Sequence, residues 1–404
     1  MNKKLLMVGS FAFMQLMARA QAKENAQQER LNKTEVELVY NHYLQYGDNS
    51  AVTGGVGTER LIVYGPSFTM KKSWKTNTIS FNLGTDVISS ASTDNIDMIM
   101  SSASRLDART YAFTSFEKNL PVHNMLLYGG IGFSIESDYF SVGTKIGLVK
   151  EDKKTLTTYS AQFQMFNDDL RWGRLNSKTS YGPSNLIYPE ELRFQEWYDE
   201  VKRNSFNLRL GISKPIDKKN ILGFYPEITY QEGLLATPFH RIYFSDGTLG
   251  VEQLPDERWK GALAVKWNRF LLGNIILKNV LNGYADNFGI VAVSFENETV
   301  IKLKPEFQLL PNIRFYTQKG SKYFDEFMQH DVNSEFYTSD FDLSEFQTYN
   351  AGLGIKLNPH NSLKRKRLLN AIVIRYNFMY RSNGLKAHIF SFSLQTESYR
   401  NPKK

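Results

Sequence analysis

The sequence runs to 404 residues with a formal net charge of +8, 42% hydrophobic residues, 14% aromatic residues and no cysteine. Without a thiol, disulfides, Fe–S clusters, thiolate zinc sites and c-type haem attachment are excluded for the chain itself. The basic excess is mild and dispersed, which sets nucleic-acid binding aside; the run Lys364-Arg365-Lys366-Arg367 reads as a solvated turn.

Residues 1–20 have the pattern of a secretory signal peptide. Lys3 and Lys4 form a positive start, Leu5 to Ala18 is mostly apolar, and Ala18-Arg19-Ala20 is a small-x-small cleavage site. A cut after Ala22 fits nearly as well. The apolar stretch is too short for a spanning helix, and no other segment approaches the ~18 apolar residues such a helix needs. Lys3, Lys4 and Arg19 take three of the positive charges, so the remainder carries about +5. Residues 21–33 then read as a short periplasmic segment.

From Glu35 onward the dominant signal is alternation with period two, which sends successive side chains to opposite faces of a strand. Val36, Leu38, Tyr40, Leu44 and Tyr46 share one face, and Glu35, Glu37, Asn41, Tyr43 and Gln45 share the other. The pattern returns at Ile79/Phe81/Leu83, Phe140/Val142/Ile146/Leu148 and Phe206/Leu208/Leu210/Ile212. It continues at Trp259/Leu263/Val265/Trp267, Tyr349/Ala351/Leu353/Ile355, Ile372/Ile374/Tyr376/Phe378/Tyr380 and His388/Phe390/Phe392/Leu394. The opposite face carries Lys145, Gln162, Gln164, Arg209, Lys266, Arg375 and Asn377. About sixteen such segments (14 to 18) of roughly nine to thirteen residues match tilted strands crossing a bilayer, whereas sandwich strands are about five or six residues long. The 22 Tyr and 28 Phe suit the aromatic girdles of such a barrel, and the mean hydropathy of -0.39 suits one with a watered interior.

The connections sort by length. Lys72–Lys75, Lys118–Val122, Lys150–Lys154, Lys214–Asn220, Asn268–Leu272 and Pro359–Arg367 are short and polar. Gly47–Arg60, Ser90–Ala108, Asp168–Lys202, Gly233–Glu257 and Gly320–Gln347 are long and fall on the other side. Short periplasmic turns opposite long outer loops are the outer-membrane pattern. The fold class expected is therefore an all-β, antiparallel up-and-down transmembrane barrel over residues 34–397 with a tail at 398–404. One stretch resists: Glu298 to Thr317 is too long for one strand and holds Pro305 and Pro311, so a bulge or a split is expected.

Sites are less legible. In the Ser/Asp-rich loop, Ser-Ala-Ser followed by Asp occurs twice, at Ser90–Asp94 and Ser102–Asp107. Asp94, Asn95, Asp97 and Asp107 offer oxygen ligands to Ca²⁺, although small polar residues with Asp are also what Asx- and Ser-turns need. If functional, this loop folds into the barrel mouth, with Asp107 and Arg109 as a charged pair. Trp172 and Trp197 in the longest loop can stack on a ligand or anchor the loop, and Asp286 is a further pore or loop candidate. His330-Asp331, near Asp325 and Glu326, is the one local cluster worth a metal hypothesis; no metal-ligand spacing, hydrolase elbow, phosphate loop or dinucleotide fingerprint appears.

Several blocks resemble an uncharacterised family of Gram-negative envelope proteins, known as domain of unknown function 3570. They include Tyr40-Asn41-His42-Tyr43, Asp48-Asn49-Ser50-Ala51-Val52-Thr53-Gly54-Gly55 and the Ser-Ala-Ser repeats. Further blocks are Thr237-Pro238-Phe239-His240-Arg241-Ile242-Tyr243-Phe244, Leu254-Pro255-Asp256-Glu257-Arg258, Tyr284-Ala285-Asp286-Asn287-Phe288-Gly289, Arg314-Phe315-Tyr316-Thr317-Gln318 and Phe336-Tyr337-Thr338-Ser339-Asp340. The resemblance spans nearly the whole chain after the leader and implies an outer-membrane barrel, with no catalytic residue to carry over. It also implies an envelope redox or flavin setting, since family members are encoded near flavin transferases and thioredoxin-like proteins. The end departs from many barrels, so the signal for the barrel-assembly machinery falls on Phe392 to Tyr399.

Three functions follow, in order: a pore or transporter for a small solute without cofactor or catalysis, a non-conducting scaffold for an envelope redox or flavin-related partner, and a barrel enzyme acting on lipid. The expected surroundings are outer-membrane lipid, the barrel-assembly machinery and a small solute, in the outer membrane of a Gram-negative bacterium after cleavage near Ala20 or Ala22.

Overall fold

The computed structural model describes residues 32–48, 58–91, 106–136, 140–170, 202–237, 241–359 and 367–400. Nine strands come first: β1 (Asn32–Asp48), β2 (Thr58–Trp74), β3 (Asn77–Ala91), β4 (Leu106–Leu120), β5 (Met125–Ile135), β6 (Phe140–Asp152), β7 (Thr157–Asp169), β8 (Lys202–Pro215) and β9 (Asn220–Gly233). Two short strands, β10 (Arg241–Tyr243) and β11 (Leu249–Val251), form a separate hairpin. Seven more follow: β12 (Glu257–Leu271), β13 (Ile275–Asp286), β14 (Val291–Lys304), β15 (Phe307–Lys319), β16 (Phe346–Leu357), β17 (Arg367–Arg381) and β18 (Lys386–Arg400).

All but β10 and β11 close into one antiparallel barrel of sixteen strands, sealed where β1 pairs with β18. Closure leaves no unpaired edge, which a spanning sheet requires because lipid offers backbone groups no hydrogen bond. The stretch around Pro305 is both split and bulged: Pro305 and Glu306 turn between β14 and β15, and the register slips between Lys302 and Lys304. The strands run from 11 to 17 residues, longer than the alternation alone indicated, because pairing continues past the apolar zone where side chains no longer alternate.

Register fixes the two faces. Leu38 stands level with Phe68 and Leu394, Ile146 with Gly129 and Phe163, and Ile374 with Ile355 and Phe392. These apolar rows point outward and are open, with Ile146 at 64% and Ile228 at 56% exposure. A water-soluble protein does not tolerate so large an apolar belt; in a bilayer it is the lipid-facing surface. Aromatic pairs flank it, Tyr230 over Trp259 at 4.5 Å towards the long-loop side and Trp74 beside Phe116 at 6.4 Å towards the short turns. The largest fully buried side chains among the described residues, Phe288, Ile242, His330, Thr338 and Ser339, lie in the loops and the β10–β11 hairpin on the long-loop side. The one compact core therefore sits above the barrel rather than within its wall.

Candidate functional site

The inner wall is polar and cross-linked. At the seam Glu37 accepts hydrogen bonds from Ser393 at 3.0 Å and Gln395 at 2.8 Å. From β13 to β17, Glu298 is shared by Lys278 at 2.7 Å and Arg375 at 2.5 Å, and Glu296 pairs with Arg314 at 3.1 Å. Such ladders fix long side chains against the wall and keep the interior wettable.

The strands β4 to β9 carry a recess in this wall, a cavity of about 540 Å³. Its charged members are paired. Arg203 Nε meets Asp168 Oδ2 at 2.8 Å, and Ser141 donates to the other oxygen at 2.6 Å. Arg209 grips Glu227 with Nε at 2.6 Å and Nη2 at 2.5 Å. Arg109 donates to Ser134 at 3.0 Å and lies 3.6 Å from Glu136. The aromatic members rest on inward-facing glycines of the next strands. A Cβ on Gly143 would come within 2.7 Å of the Phe166 ring, and one on Gly130 within 2.7 Å of Phe113. Glycine is needed at both places for the ring to lie flat against backbone, an arrangement that also holds sheet register. Lys145 covers Phe113 at 4.4 Å, whereas among the described residues no cation stacks on Phe166.

Above the opposite side sits the cap, built from the loop between β9 and β12 and the loop between β15 and β16. The loops interlock by backbone: Gln253 and Tyr337 exchange hydrogen bonds of 3.2 and 2.8 Å, and Ser245 donates to His330 at 2.9 Å. Glu252, 6% exposed, lies at the join and accepts from the Thr237 amide and the Thr338 hydroxyl. Burial pushes its carboxyl up to about 7, while those two hydrogen bonds pull the other way. The cap is tied to inward-facing wall residues. Arg381, 7% exposed, pairs with Asp342 at 2.6 Å and stacks on Phe346 at 4.7 Å, and Gln318 donates to the carbonyls of Asp342 and Ser344.

Comparison with known proteins follows from this geometry. A family model described as a protein of unknown function, DUF3570, matches residues 107–377. The chain belongs to the DUF3570 family. No curated protein matches its sequence. Solved structures that resemble this DUF3570 barrel include a BenF-like porin from Pseudomonas fluorescens Pf-5, at 9% identity, covering 90% of this chain and 98% of that one with a TM-score of 0.41. Pseudomonas aeruginosa OccK7 (OpdD) is 8% identical over 91% and 99% of the two chains, with a TM-score of 0.46. The translocator domain of the autotransporter NalP from Neisseria meningitidis is 9% identical over 98% and 97%, with a TM-score of 0.33. At such identity and overlap the likenesses carry no argument about what crosses the barrel. The DUF3570 protein is a transmembrane β-barrel of sixteen strands, closed on itself and belted outside by apolar side chains.

The residues singled out in the DUF3570 sequence scatter. Asp94, Asn95, Asp97, Trp172 and Trp197 lie outside the described residues. The backbone of Asp107 opens β4 opposite Ile88, and Arg109, two residues on, turns inward to Ser134 and Glu136 at the recess. Asp286 is fully buried: it pairs with Arg258, accepts from Tyr284 at 2.7 Å and from the Ile290 amide at 3.0 Å, and so locks the β13–β14 turn. Among the described residues no group of three or more His, Asp or Glu is placed to hold a metal ion. Asp325, His330 and Ser339 fall in the order of a hydrolase triad, but the Asp325 to His330 distance of 3.9 Å is too long for a hydrogen bond. Ser339 donates its hydroxyl to the Asp325 carbonyl at 3.0 Å, so His330 Nε2, 3.0 Å away, is the donor rather than the base towards it. The trio secures the cap. Sequence reasoning missed both the recess and the cap, though the inward parity of Arg203, Arg209 and Glu227 pointed to the first.

Proposed function

We propose that this barrel is a pore for small polar solutes. The observation that supports the reading best is the continuous polar inner wall of a sixteen-strand barrel, whose circumference leaves space for an aqueous lumen where about eight strands would be filled by side chains. The recess on β4 to β9 adds a place where a passing solute is held, and the cap narrows the mouth from the other side. A wall built only to be packed would be apolar inside. Arg209 with Glu227 and Glu298 with Arg375 instead meet along it as ion pairs, and Glu37 accepts from Ser393 and Gln395.

Liposome swelling tests the reading. Vesicles carrying the purified protein are expected to admit small polar solutes at rates that fall with solute size. Vesicles that stay as tight as protein-free controls, with the barrel shown to be inserted and folded, would overturn it.

A further inference from the structure

We propose that the recess on β4 to β9 recognises a small neutral sugar. The proposal rests on the pore reading for the route by which the sugar arrives.

Three properties of the recess converge on that chemistry. First, the three guanidinium groups that line it are already answered. Arg203 faces Asp168, Arg209 faces Glu227, and Arg109 faces Glu136. An anion entering here would have to displace a carboxylate from each guanidinium, and a cation would have to displace the guanidinium. A neutral ligand meets no such competition. Paired guanidinium and carboxylate groups hold each other rigid and present planar edges, donor beside acceptor, suited to adjacent hydroxyls that donate and accept at once.

Second, the recess has an apolar platform. Phe166 lies against the backbone at Gly143, so its ring is braced from behind and partly open to the lumen. The C–H faces of a sugar ring stack on such a surface, while its hydroxyls point sideways. Third, Gln164 stands on the same strand two residues away, on the same inward face, level with Lys145 and Asn207. It makes no side-chain hydrogen bond with any described residue, although its neighbours Asn207 and Gln231 are both engaged, to Thr229 at 2.8 Å and Ser205 at 3.0 Å. An amide left unengaged beside an aromatic face, between engaged neighbours, is free to meet a partner that offers both a donor and an acceptor. The cavity of about 540 Å³ falls within the roughly 300–1,000 Å³ usual for small-molecule sites.

The experiment titrates glucose and maltose, with sodium benzoate as the anionic comparison, against the full barrel, by current fluctuation in a planar bilayer and by calorimetry in detergent. Saturable binding or blockage by at least one sugar is expected, weakened about tenfold in Phe166→Leu and in Gln164→Ala, and restored in Phe166→Tyr, which keeps the stacking face. Heat-modifiable mobility on gels checks that each variant is folded. Channels that conduct but respond to benzoate and to neither sugar would overturn the sugar assignment while leaving the pore. Sugar binding by calorimetry with no conductance would keep the site and remove the pore. Absence of sugar binding by both methods, in folded protein, or binding indifferent to all three substitutions, would overturn the proposal.

Discussion

At the residue scale, two buried acids do opposite jobs. Asp286 sits in a complete cage: Arg258, the Tyr284 hydroxyl and the Ile290 amide all point at it, and Arg258 also covers the Phe288 ring at 4.4 Å. Replacing Asp286 with Ala strands a largely buried guanidinium, a loss of about 3–5 kcal/mol for breaking a buried pair from one side. The expected outcome is a barrel that unfolds at clearly lower denaturant, with Asp286→Asn in between; equal midpoints for all three would refute this role. Among the described residues no cation pairs with Glu252, and burial pushes its carboxyl up to about 7. The folded cap holds that proton more tightly than the unfolded chain, whose value lies near the ordinary 4.5. Its contribution is therefore complete below pH 4.5, fades as pH rises, and is lost above about 7, a swing of ~3 kcal/mol at most. His330 works in the opposite sense, because burial lowers its imidazole and the folded cap resists its protonation. Hydrogen exchange across residues 320–345, corrected for its intrinsic pH dependence, should therefore quicken more from pH 5 to pH 8 in the native protein than in Glu252→Gln, where only the opposing His330 slope remains.

At the scale of elements, the barrel and the cap differ in how they are encoded. Strand faces were legible because alternation is local: Ile79, Phe81 and Leu83 against Ser80 and Asn82 declare a two-sided strand without reference to any other segment. The recess was not, because Arg203 and Asp168 are 35 residues apart. They meet only after β7 and β8 choose a register, which the connection between them does not reveal. The cap was less legible still. Glu252 and Thr338 are 86 residues apart and belong to two loops that carry no periodic pattern. The sequence pointed to the Ser/Asp-rich loop at the mouth, because repetition is visible in a string and interlocking is not; most of that loop lies outside the described residues. The cap's tether is open to a simple test. Arg381→Ala removes the pair with Asp342 and the stacking on Phe346, a loss of about 1–2 kcal/mol since Asp342 is left in water. Limited proteolysis should then cut within residues 320–345 while the barrel keeps its heat-modifiable mobility. Resistance equal to the native protein would show that the Gln318 hydrogen bonds suffice.

At the scale of the whole molecule, an apolar belt outside, a hydrogen-bonded ionic wall inside and compact structure on one rim are the three properties on which the proposed pore rests. Each property is carried by a different set of residues: Ile146 and Ile228 face lipid, Arg209 and Glu227 face the lumen, and Ile242 and Thr338 fill the cap. Membrane insertion, passage and mouth structure are therefore separable by substitution. The most direct measurement is single-channel conductance of the purified barrel in a planar bilayer. The account predicts steady, reproducible current steps that change in size when Arg209 or Arg109 is replaced by Ala, since both stand on the lumen wall. A folded, heat-modifiable barrel that inserts and never conducts would contradict it.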